Sequence, residues 1–570
     1  MSPLYRLWRR WRRAPLGAAS DLILLGGLAG LALGAFSLGG EWSHQMRPAV
    51  RIDLSPWALP RYTFYSLSRG LIAYAFSLAF TLVYGYWAAK DALAEKILVP
   101  LLDILQSVPV LGFMPGLVIA LVGMFPRSNI GLELAAVLMI FTAQAWNMTF
   151  SFYQSLKSLP PDLAEAATVY RFDWKRRFRR LELPYAAMGL IWNSMMSMAG
   201  GWFFLMINES FVLGDKDYRL PGLGSYMSAA VAKGDAAAML WAVGAMTLMI
   251  VALDQLLWRP VVVWAQKFRT EDAGAREAPT SWFLTFLRRS HLISAARALL
   301  RPLLPDARPP EAAAPEARAR AGADWASRAL FVVLLAGMGL GLWKLESVLA
   351  VVSRAAWWSI LASAGWTLGR VLLSTLIGTV WALPAGLVIG LSPRLSRVLQ
   401  PVVQVVASFP APMLFPVVIA ALAWLGVGLG WGSVLLMLLG TQWYILFNVV
   451  AGAMAIPADL IEAAKAYRLS RWDRFRRVYG PAVFSYLVTG WITAAGGAWN
   501  ASIVAEYVTF KGRVLTTQGL GAQISLAAEH ADFPTLAASV VVMSALVVLF
   551  NRFVWRRFYA LAERRFSLTR

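Results

Sequence analysis

The chain contains one 25-residue stretch twice, as PPDLAEAATVYRFDWKRRFRRLELP at residues 160–184 and as PADLIEAAKAYRLSRWDRFRRVYGP at residues 457–481. We call these stretches segment A and segment B. Thirteen of the 25 positions are identical, and they include charged residues, aromatic residues and both flanking prolines. Apolar stretches match easily by composition, whereas charges and prolines at fixed spacing do not. The match therefore indicates an internal duplication.

The similarity continues outward through both halves of the chain. Upstream, the copies align with an offset of 301 residues, which pairs Arg69 with Arg370 and Pro109 with Pro410. From about residue 146 the offset is 297, and it runs without a gap to residue 235. We infer a tandem duplication that covers most of each half.

The composition places this duplicated unit in a membrane. Of the 570 residues, 59% are hydrophobic and only 15% are charged, against roughly half and a quarter in globular domains. Such a chain cannot cover its apolar side chains with polar surface in water, which excludes a string of soluble domains. Cysteine is absent and only three histidines occur, which argues against disulfides, cysteine catalysis and a zinc or haem site.

Twelve apolar runs are long enough to cross a bilayer as helices of about 20 residues. They lie at residues 20–39, 64–88, 98–124, 132–153, 185–210, 236–262, 326–346, 361–390, 400–423, 432–453, 482–507 and 535–558. We therefore predict an all-α integral membrane protein with two parallel six-helix repeats. The repeats are expected in residues 1–263 and 325–570, and residues 264–324 are expected to form a cytoplasmic linker.

The distribution of positive charge predicts the orientation. The formal net charge is +22, and the loops that include segments A and B carry more Lys and Arg than the opposite loops. Cytoplasmic loops collect basic residues, so both termini are expected in the cytoplasm. The excess charge then reflects topology and anionic lipid rather than nucleic acid. Residues 5–13 predict an interfacial helix, and residues 282–303 predict either a second one or a loosely ordered linker.

Segments A and B each combine a helix-start signal with a row of basic residues. Proline and an aspartate, Asp162 or Asp459, precede the sequence Glu-Ala-Ala, and both residue types suit a helix N-terminus. Two small alanines beside one glutamate make a thin helix that can enter a groove on another protein. The arginines that follow can bind phosphates or acidic side chains. The alternative is an interfacial helix held by lipid headgroups.

This pattern resembles the EAA loop in the permease subunits of bacterial ABC importers, once in each half. The resemblance implies a type I importer-like permease whose two loops form coupling helices docked on two ATPase subunits at the cytoplasmic side. Those partners would bind ATP and Mg²⁺, and this chain would hold no cofactor. The corresponding residues are Glu165, Ala166, Ala167, Tyr170 and Arg171 in segment A and Glu462, Ala463, Ala464, Tyr467 and Arg468 in segment B.

A second resemblance concerns the solute. The sequences Gly497-Ala498-Trp499, Ile503-Val504-Ala505-Glu506 and Gly519-Leu520-Gly521 are similar to the end of the permease domain in the nitrate, sulfonate and taurine branch. This implies import of a small anionic solute of the nitrate, sulfonate, taurine or bicarbonate class. A periplasmic or lipid-anchored binding protein would deliver it to a permease in the bacterial inner membrane.

Both halves depart from the family pattern at one position. The loop usually has glycine where this chain has Arg171 and Arg468. Glycine readily adopts the left-handed conformation that ends a helix, and this conformation costs other residues roughly 1–2 kcal/mol. Either the turn differs in this chain, or a partner holds the arginine and docks with altered contacts.

Four further residues are candidates for the translocation pathway, namely Trp202, Glu209, Trp499 and Glu506. Carboxylates at membrane depth mark pathways or gates, although each glutamate could instead be an interfacial carboxylate paired with a loop donor. Core packing is the alternative for both tryptophans. Arg69 and Arg370 lie near the outer ends of the second spans, where a snorkelling anchor is the expected role rather than an anion-binding group.

The sequence contains no Gly-x4-Gly-Lys-Ser/Thr phosphate loop. We therefore expect a transport subunit without ATPase activity of its own. The rival hypotheses are a six-plus-six secondary transporter driven by an ion gradient, an ABC system working in export, and a membrane scaffold or sensor. A secondary transporter and a scaffold or sensor do not require two Ala-rich docking helices. The motifs do not distinguish import from export.

Overall fold

The computed structural model describes residues 15–43, 50–213, 216–268, 281–290, 317–510 and 513–566. The predicted interfacial helix at residues 5–13 lies outside the described residues, and so does most of the linker. Within the linker, the amphipathic stretch forms the helix Trp282–Arg289. The Ser281 hydroxyl caps this helix by accepting a hydrogen bond from the N–H of Leu284 at 3.2 Å.

The helices of the two halves follow one another in the same order. The first half contains α1 (Pro15–Ser43), α2 (Leu59–Lys90), α3 (Ala92–Ser107), α4 (Val110–Met124), α5 (Ile130–Lys157), α6 (Pro161–Val169), α7 (Trp174–Arg177), α8 (Leu183–Asn208), α9 (Leu223–Lys233), α10 (Ala236–Leu253) and α11 (Arg259–Ala265). The helix in the linker is α12 (Trp282–Arg289). The second half contains α13 (Ala317–Leu349), α14 (Arg354–Leu391), α15 (Pro393–Ser408), α16 (Phe415–Trp424), α17 (Leu429–Met454), α18 (Ala458–Ala466), α19 (Arg471–Arg474), α20 (Gly480–Ala505), α21 (Leu520–Glu529), α22 (Phe533–Phe550) and α23 (Arg556–Phe566).

Within the described residues, eight helices are long and apolar enough to cross a membrane. Two sharply bent helix pairs, α3 with α4 and α15 with α16, bring the number to ten if each pair counts as one span. The two remaining predicted spans coincide with α13 and α20. All twelve apolar runs are therefore helical, as the sequence predicted.

The third span of each half is not a continuous helix. The two helices meet at 95° in the first half and at 82° in the second. At the breaks, Val108 and Phe409 adopt extended conformations immediately before Pro109 and Pro410. Proline lacks a backbone N–H and disfavours the helical conformation in the residue before it. Each of the spans predicted at residues 98–124 and 400–423 is therefore a pair of helices rather than the single helix that the sequence predicted.

Three long helices pack together in each half, α2 with α5 and α8 in the first, and α14 with α17 and α20 in the second. The bent pairs cross to the opposite half. Helix α4 packs on α20 and α22, and α15 packs on α8 and α10. This reciprocal exchange is expected for a pseudo-two-fold pair. The largest core therefore combines both halves, with Met114 of α4 in the same cluster as Trp499 of α20.

The duplication extends to irregular features that apolar patterning does not require. Wide π-helical turns occur at Phe178–Glu182 and Phe475–Tyr479, and again at Asp254–Trp258 and Asn551–Trp555. A two-stranded hairpin follows α8 and another follows α20. The first pairs β1 (Ser210–Leu213) with β2 (Lys216–Arg219), and the second pairs β3 (Tyr507–Phe510) with β4 (Arg513–Thr516). The sequence analysis did not predict these hairpins.

Candidate functional site

Segments A and B form the short helices α6 and α18, which end in the same hydrogen-bonded turn. After α6, the N–H of Phe172 donates to the carbonyl of Ala167 at 2.9 Å, and the N–H of Arg171 donates to the carbonyl of Thr168 at 3.0 Å. After α18, the corresponding bonds run from Leu469 to Ala464 at 3.1 Å and from Arg468 to Lys465 at 2.9 Å. This pattern is a Schellman motif, in which a left-handed residue follows the helix.

The Glu-Ala-Ala residues divide between an open face and a packed face. Glu165 and Glu462 are exposed, as are the alanines that follow them. The second alanines, Ala167 and Ala464, are only 4% and 3% exposed. The carbonyls of these alanines accept the hydrogen bonds that close the Schellman motif. Because their side chains are small, the turn can lie close against the rest of the protein. The glutamates remain accessible from outside.

Arginine occupies the left-handed position of both turns. The φ angle is 48° at Arg171 and 50° at Arg468. Both side chains are exposed, and neither makes a side-chain hydrogen bond or ion pair within the described residues. The turn therefore keeps the shape that glycine favours, with arginine held in it at a cost of about 1–2 kcal/mol.

The basic residues that follow are paired differently in the two segments. In segment A, Arg177 contacts the buried carboxylate of Glu182 at 2.9 Å. Lys90, at the end of α2, contacts the same carboxylate at 2.5 Å. Segment B has Tyr479 at the equivalent position, and Arg474 donates to a backbone carbonyl at 2.9 Å instead. The exposed arginines of both segments keep this face of the protein positively charged.

Glu209 lies immediately after α8 and is fully buried. It accepts hydrogen bonds from Arg69 at 2.8 Å, from Ser66 at 2.7 Å and from the N–H of Gly224 at 2.7 Å. Arg69 also donates twice to Glu133, each time at 2.6 Å. Arg69 is thus enclosed between two carboxylates. The expectation of a snorkelling anchor is wrong, because the Arg69 side chain is not exposed at all.

Glu506 lies in the equivalent place, in a cluster with one carboxylate fewer. It accepts hydrogen bonds from Arg370 at 2.8 Å, from Thr367 and from the N–H of Gly521. Gly430 stands where the first repeat has Glu133, and its carbonyl accepts a bond from Arg370 at 3.2 Å. Arg370 is 8% exposed, so it is not a snorkelling anchor either. In both repeats this cluster fixes the end of the fifth span.

Trp202 and Trp499 are 1% and 3% exposed. The ring of Trp202 lies so close to Gly70 that an added Cβ would come within 2.6 Å of it. The described residues form two large cavities, of about 500 and 540 Å³, and neither tryptophan lines them. Glu209 and Glu506 do not line these cavities either. Glu133 was missed by the sequence analysis, although a lone carboxylate in an apolar run is a recognisable signal.

A cavity of about 500 Å³ lies between the two repeats. Its polar lining consists mainly of amide and hydroxyl side chains, which come from both halves. These residues are Gln106, Thr142, Asn147, Asn193, Ser197, Thr441, Tyr444, Asn448, Thr489, Thr493, Asn500 and Asn551. No charged residue belongs to the lining that the described residues form. No cluster of three or more His, Asp and Glu able to hold a metal ion occurs in the described part of the chain.

A second cavity of about 540 Å³ lies closer to the hairpins, and the bends of the third spans stand between the two cavities. Val110 and Ala411 line the first cavity, whereas the next residues, Leu111 and Pro412, line the second. The N–H of Val110 donates to the Oδ1 of Asn500 at 2.8 Å. This bond joins the bend of one repeat to the fifth span of the other.

Comparisons with known proteins place both repeats in one family. Residues 81–257 and 378–568 each match the model described as "Binding-protein-dependent transport system inner membrane component". The chain is 30% identical to the nitrate import permease protein of Leptolyngbya laminosa over 162 residues, which are 27% of this chain and 53% of that relative. It is 29% identical to the bicarbonate transport system permease protein of Synechocystis sp. over 163 residues, 28% of this chain and 53% of the relative.

A third relative has a different named solute. The riboflavin transport system permease protein of Chloroflexus aurantiacus is 33% identical over 155 residues, 27% of this chain and 54% of the relative. The chain thus spans about half the length of each of these three relatives. Because the family model matches both repeats and most of the chain, this protein belongs to the family of binding-protein-dependent transport system inner membrane components, as a fusion of two copies of the permease domain.

Proposed function

We propose that this protein is the permease of an ATP-driven importer in a bacterial inner membrane, with both termini in the cytoplasm. The observation that carries the proposal is the pair of helices α6 and α18, which expose the same glutamate and end in the same turn. Two equivalent docking helices suit two copies of one partner. The similarity to the EAA loop supports an ABC ATPase as that partner, which would bind ATP and Mg²⁺ itself.

The docking helices are connected to the cavity by rigid structure. Segment A continues through α7 and a π-helical turn into α8, so that residues 174–208 form one helical rod. This rod carries Asn193 at the cavity and leads to Glu209 in the buried cluster. A displacement of α6 by the ATPase would therefore reach the cavity and the bends beside it. Segment B continues into α20 in the same way.

The cavity suits a small anionic solute that must be released as well as bound. Among the described residues, its lining has no carboxylate to repel an anion and no basic group to retain it. Amide and hydroxyl groups can donate hydrogen bonds to an anion, and conduction requires binding that is favourable yet weak. The nitrate and bicarbonate relatives have solutes of this class, so we propose an anion rather than an uncharged solute such as riboflavin.

The direct test is uptake by the protein reconstituted in liposomes with its ATPase subunits and solute-binding protein. Nitrate and bicarbonate are the anionic probes, taurine is a zwitterion that carries a sulfonate group, and riboflavin is the uncharged comparison. We expect at least one anion to accumulate only when the ATPase has access to ATP and Mg²⁺. Accumulation driven by a proton or sodium gradient without ATP would contradict the proposal and favour the secondary-transporter alternative.

A carboxylate placed in the cavity tests the charge of the solute. Asn147 is exposed in the cavity lining, and Asn147→Asp preserves its shape while adding a negative charge. We expect anion uptake to fall about tenfold or more, because two like charges about 4 Å apart repel each other by roughly 1–4 kcal/mol near a protein surface. Asn147→Gln keeps the site neutral and serves as the control. Equal uptake by the Asp and Gln variants would show that the solute is not an anion.

A further inference from the structure

We propose that Arg171 and Arg468 bind carboxylate groups of the ATPase subunits that dock on α6 and α18. This inference rests on the proposed function and adds the chemistry of the contact. Each arginine stands at the end of a docking helix, one residue beyond its C-cap. The guanidinium group forms two parallel hydrogen bonds with a carboxylate, which makes that group its best-matched protein partner.

The first observation is an unfavourable backbone conformation that occurs twice. Arg171 and Arg468 have φ angles of 48° and 50° at equivalent positions. The same chain uses glycine for such a turn at Gly234, whose φ is 69°. Glycine was therefore an available solution, and arginine was kept instead in both docking helices. Residues in such conformations cluster at functional sites, where the side chain is needed at that place.

The second observation is that the part of the chain that the structure describes gives these side chains no structural role. Both are exposed and make no side-chain hydrogen bond or ion pair within the described residues. Their neighbours Tyr170 and Tyr467 are 69% and 81% exposed. Exposed tyrosine beside unpaired arginine is the composition typical of protein interfaces. A partner that covers both side chains accounts for this arrangement.

The charge of the surroundings indicates an acidic partner. Segment A contains six basic and four acidic residues, and segment B contains six basic and three acidic residues. A lipid phosphate could be reached from unstrained arginines of the same segments, such as Arg179 and Arg476, both of which are exposed. A lipid headgroup diffuses in the bilayer and does not require an arginine at one fixed place. A carboxylate in a docking cleft is fixed in space, so we favour the ATPase over anionic lipid.

The test uses double variants of the full chain that separate charge from backbone conformation. Arg171→Gly with Arg468→Gly removes both the charge and the strain, and Arg171→Lys with Arg468→Lys keeps the charge. Ala531→Gly is the matched control, because Ala531 has a φ of 53°, is exposed and occupies the place of Gly234 in the second repeat. We measure the Tm of each purified chain and its affinity for the ATPase that co-purifies with the wild type.

We expect the Gly double variant and Ala531→Gly each to raise the Tm by roughly 1–3 °C. Affinity for the ATPase should fall about tenfold or more in the Gly variant, as expected for the loss of two charged contacts. It should stay within about threefold of the wild type in the Lys variant and be unchanged in Ala531→Gly. The affinity of the wild type should also decrease with added salt.

Three results would overturn the inference. The first is wild-type affinity in the Gly double variant. The second is a rise in Tm for Ala531→Gly but not for the Gly double variant, which would mean that contacts within the chain hold the arginines. The third is a loss of affinity seen in nanodiscs that contain phosphatidylglycerol but absent in phosphatidylcholine, which would assign the arginines to lipid. If the wild type itself binds no ATPase, the proposed function fails rather than this contact.

Discussion

Arg69 shows at the residue scale how a buried charge fixes the shape of the first repeat. It connects Glu133 on α5 with Glu209 at the end of α8, and its own position is on α2. A buried arginine requires such partners, because an unpaired charge in a low-dielectric interior is very costly. The sequence suggested Glu209 and Arg69 separately as special residues. It could not pair them, because 140 residues separate the two.

Replacing Arg69 should therefore be far more damaging than replacing an exposed arginine on the same helix. Arg69→Met leaves two buried carboxylates without their positively charged partner, and we expect the free energy of unfolding to fall by about 3–5 kcal/mol. Arg61→Met, at an exposed position of α2, should change it by less than about 0.5 kcal/mol. Thermal unfolding of the two purified variants measures the difference. Similar values would show that the buried cluster is not a structural constraint.

Two glycines should respond to alanine with opposite signs. A Cβ added at Gly70 would lie 2.6 Å from the ring of Trp202, whereas a Cβ at Gly369 meets no atom within 4 Å. Gly70→Ala should lower the free energy of unfolding by about 1–3 kcal/mol through overpacking. Gly369→Ala should raise it by roughly 0.5–1 kcal/mol, since alanine is preferred within helices. Stabilisation by Gly70→Ala would contradict the packing of Trp202 described above.

At the scale of elements, apolar runs predicted the long helices but not their interruptions. The length of an apolar run indicates that a segment is buried in the bilayer. It does not reveal a break of two or three residues within that segment. Pro109 and Pro410 carried the signal for the bends, but prolines also occur inside helices here, for example Pro100 and Pro401. The hairpins escaped prediction because strands of four residues contain too little periodicity. The positions and angles of the two bends could therefore not be predicted from the sequence.

The bend of the first repeat should depend on Asn500 in the second. Asn500→Ala removes the acceptor of the Val110 N–H, and leaving a buried donor unpaired costs about 1–3 kcal/mol. Asn448→Ala is the control, because Asn448 also lines the cavity but donates only to Tyr444 of its own helix. We expect a larger fall in thermal stability for Asn500→Ala than for Asn448→Ala. Equal effects would mean that this bond does not hold the repeats together.

At the scale of the whole molecule, the duplication explains which parts of the site could be predicted. Segments A and B were recognisable because local sequence encodes the helix start, the small alanines and the row of basic residues. The left-handed turn at Arg171 and Arg468 was not predictable, because glycine is absent there. The cavity was not predictable either, because it is formed by side chains of five spans and two bends that meet only after folding. The repeats also differ in contacts between residues far apart in the sequence. Arg69 pairs with the carboxylate of Glu133, whereas Arg370 donates to the backbone carbonyl of Gly430.

In the function proposed for this protein, α6 and α18 together couple the permease to ATPase subunits. The most direct measurement uses the double variant Glu165→Arg with Glu462→Arg. The ATPase is sought among the products of neighbouring genes, and the amount that remains bound to the purified chain is measured. Glu346→Arg, at an exposed position of α13, is the control for a charge reversal elsewhere. We predict a stable complex with the wild type and the control, and loss of the ATPase from the double variant. A double variant that retains the ATPase and its ATP-driven uptake would contradict the account.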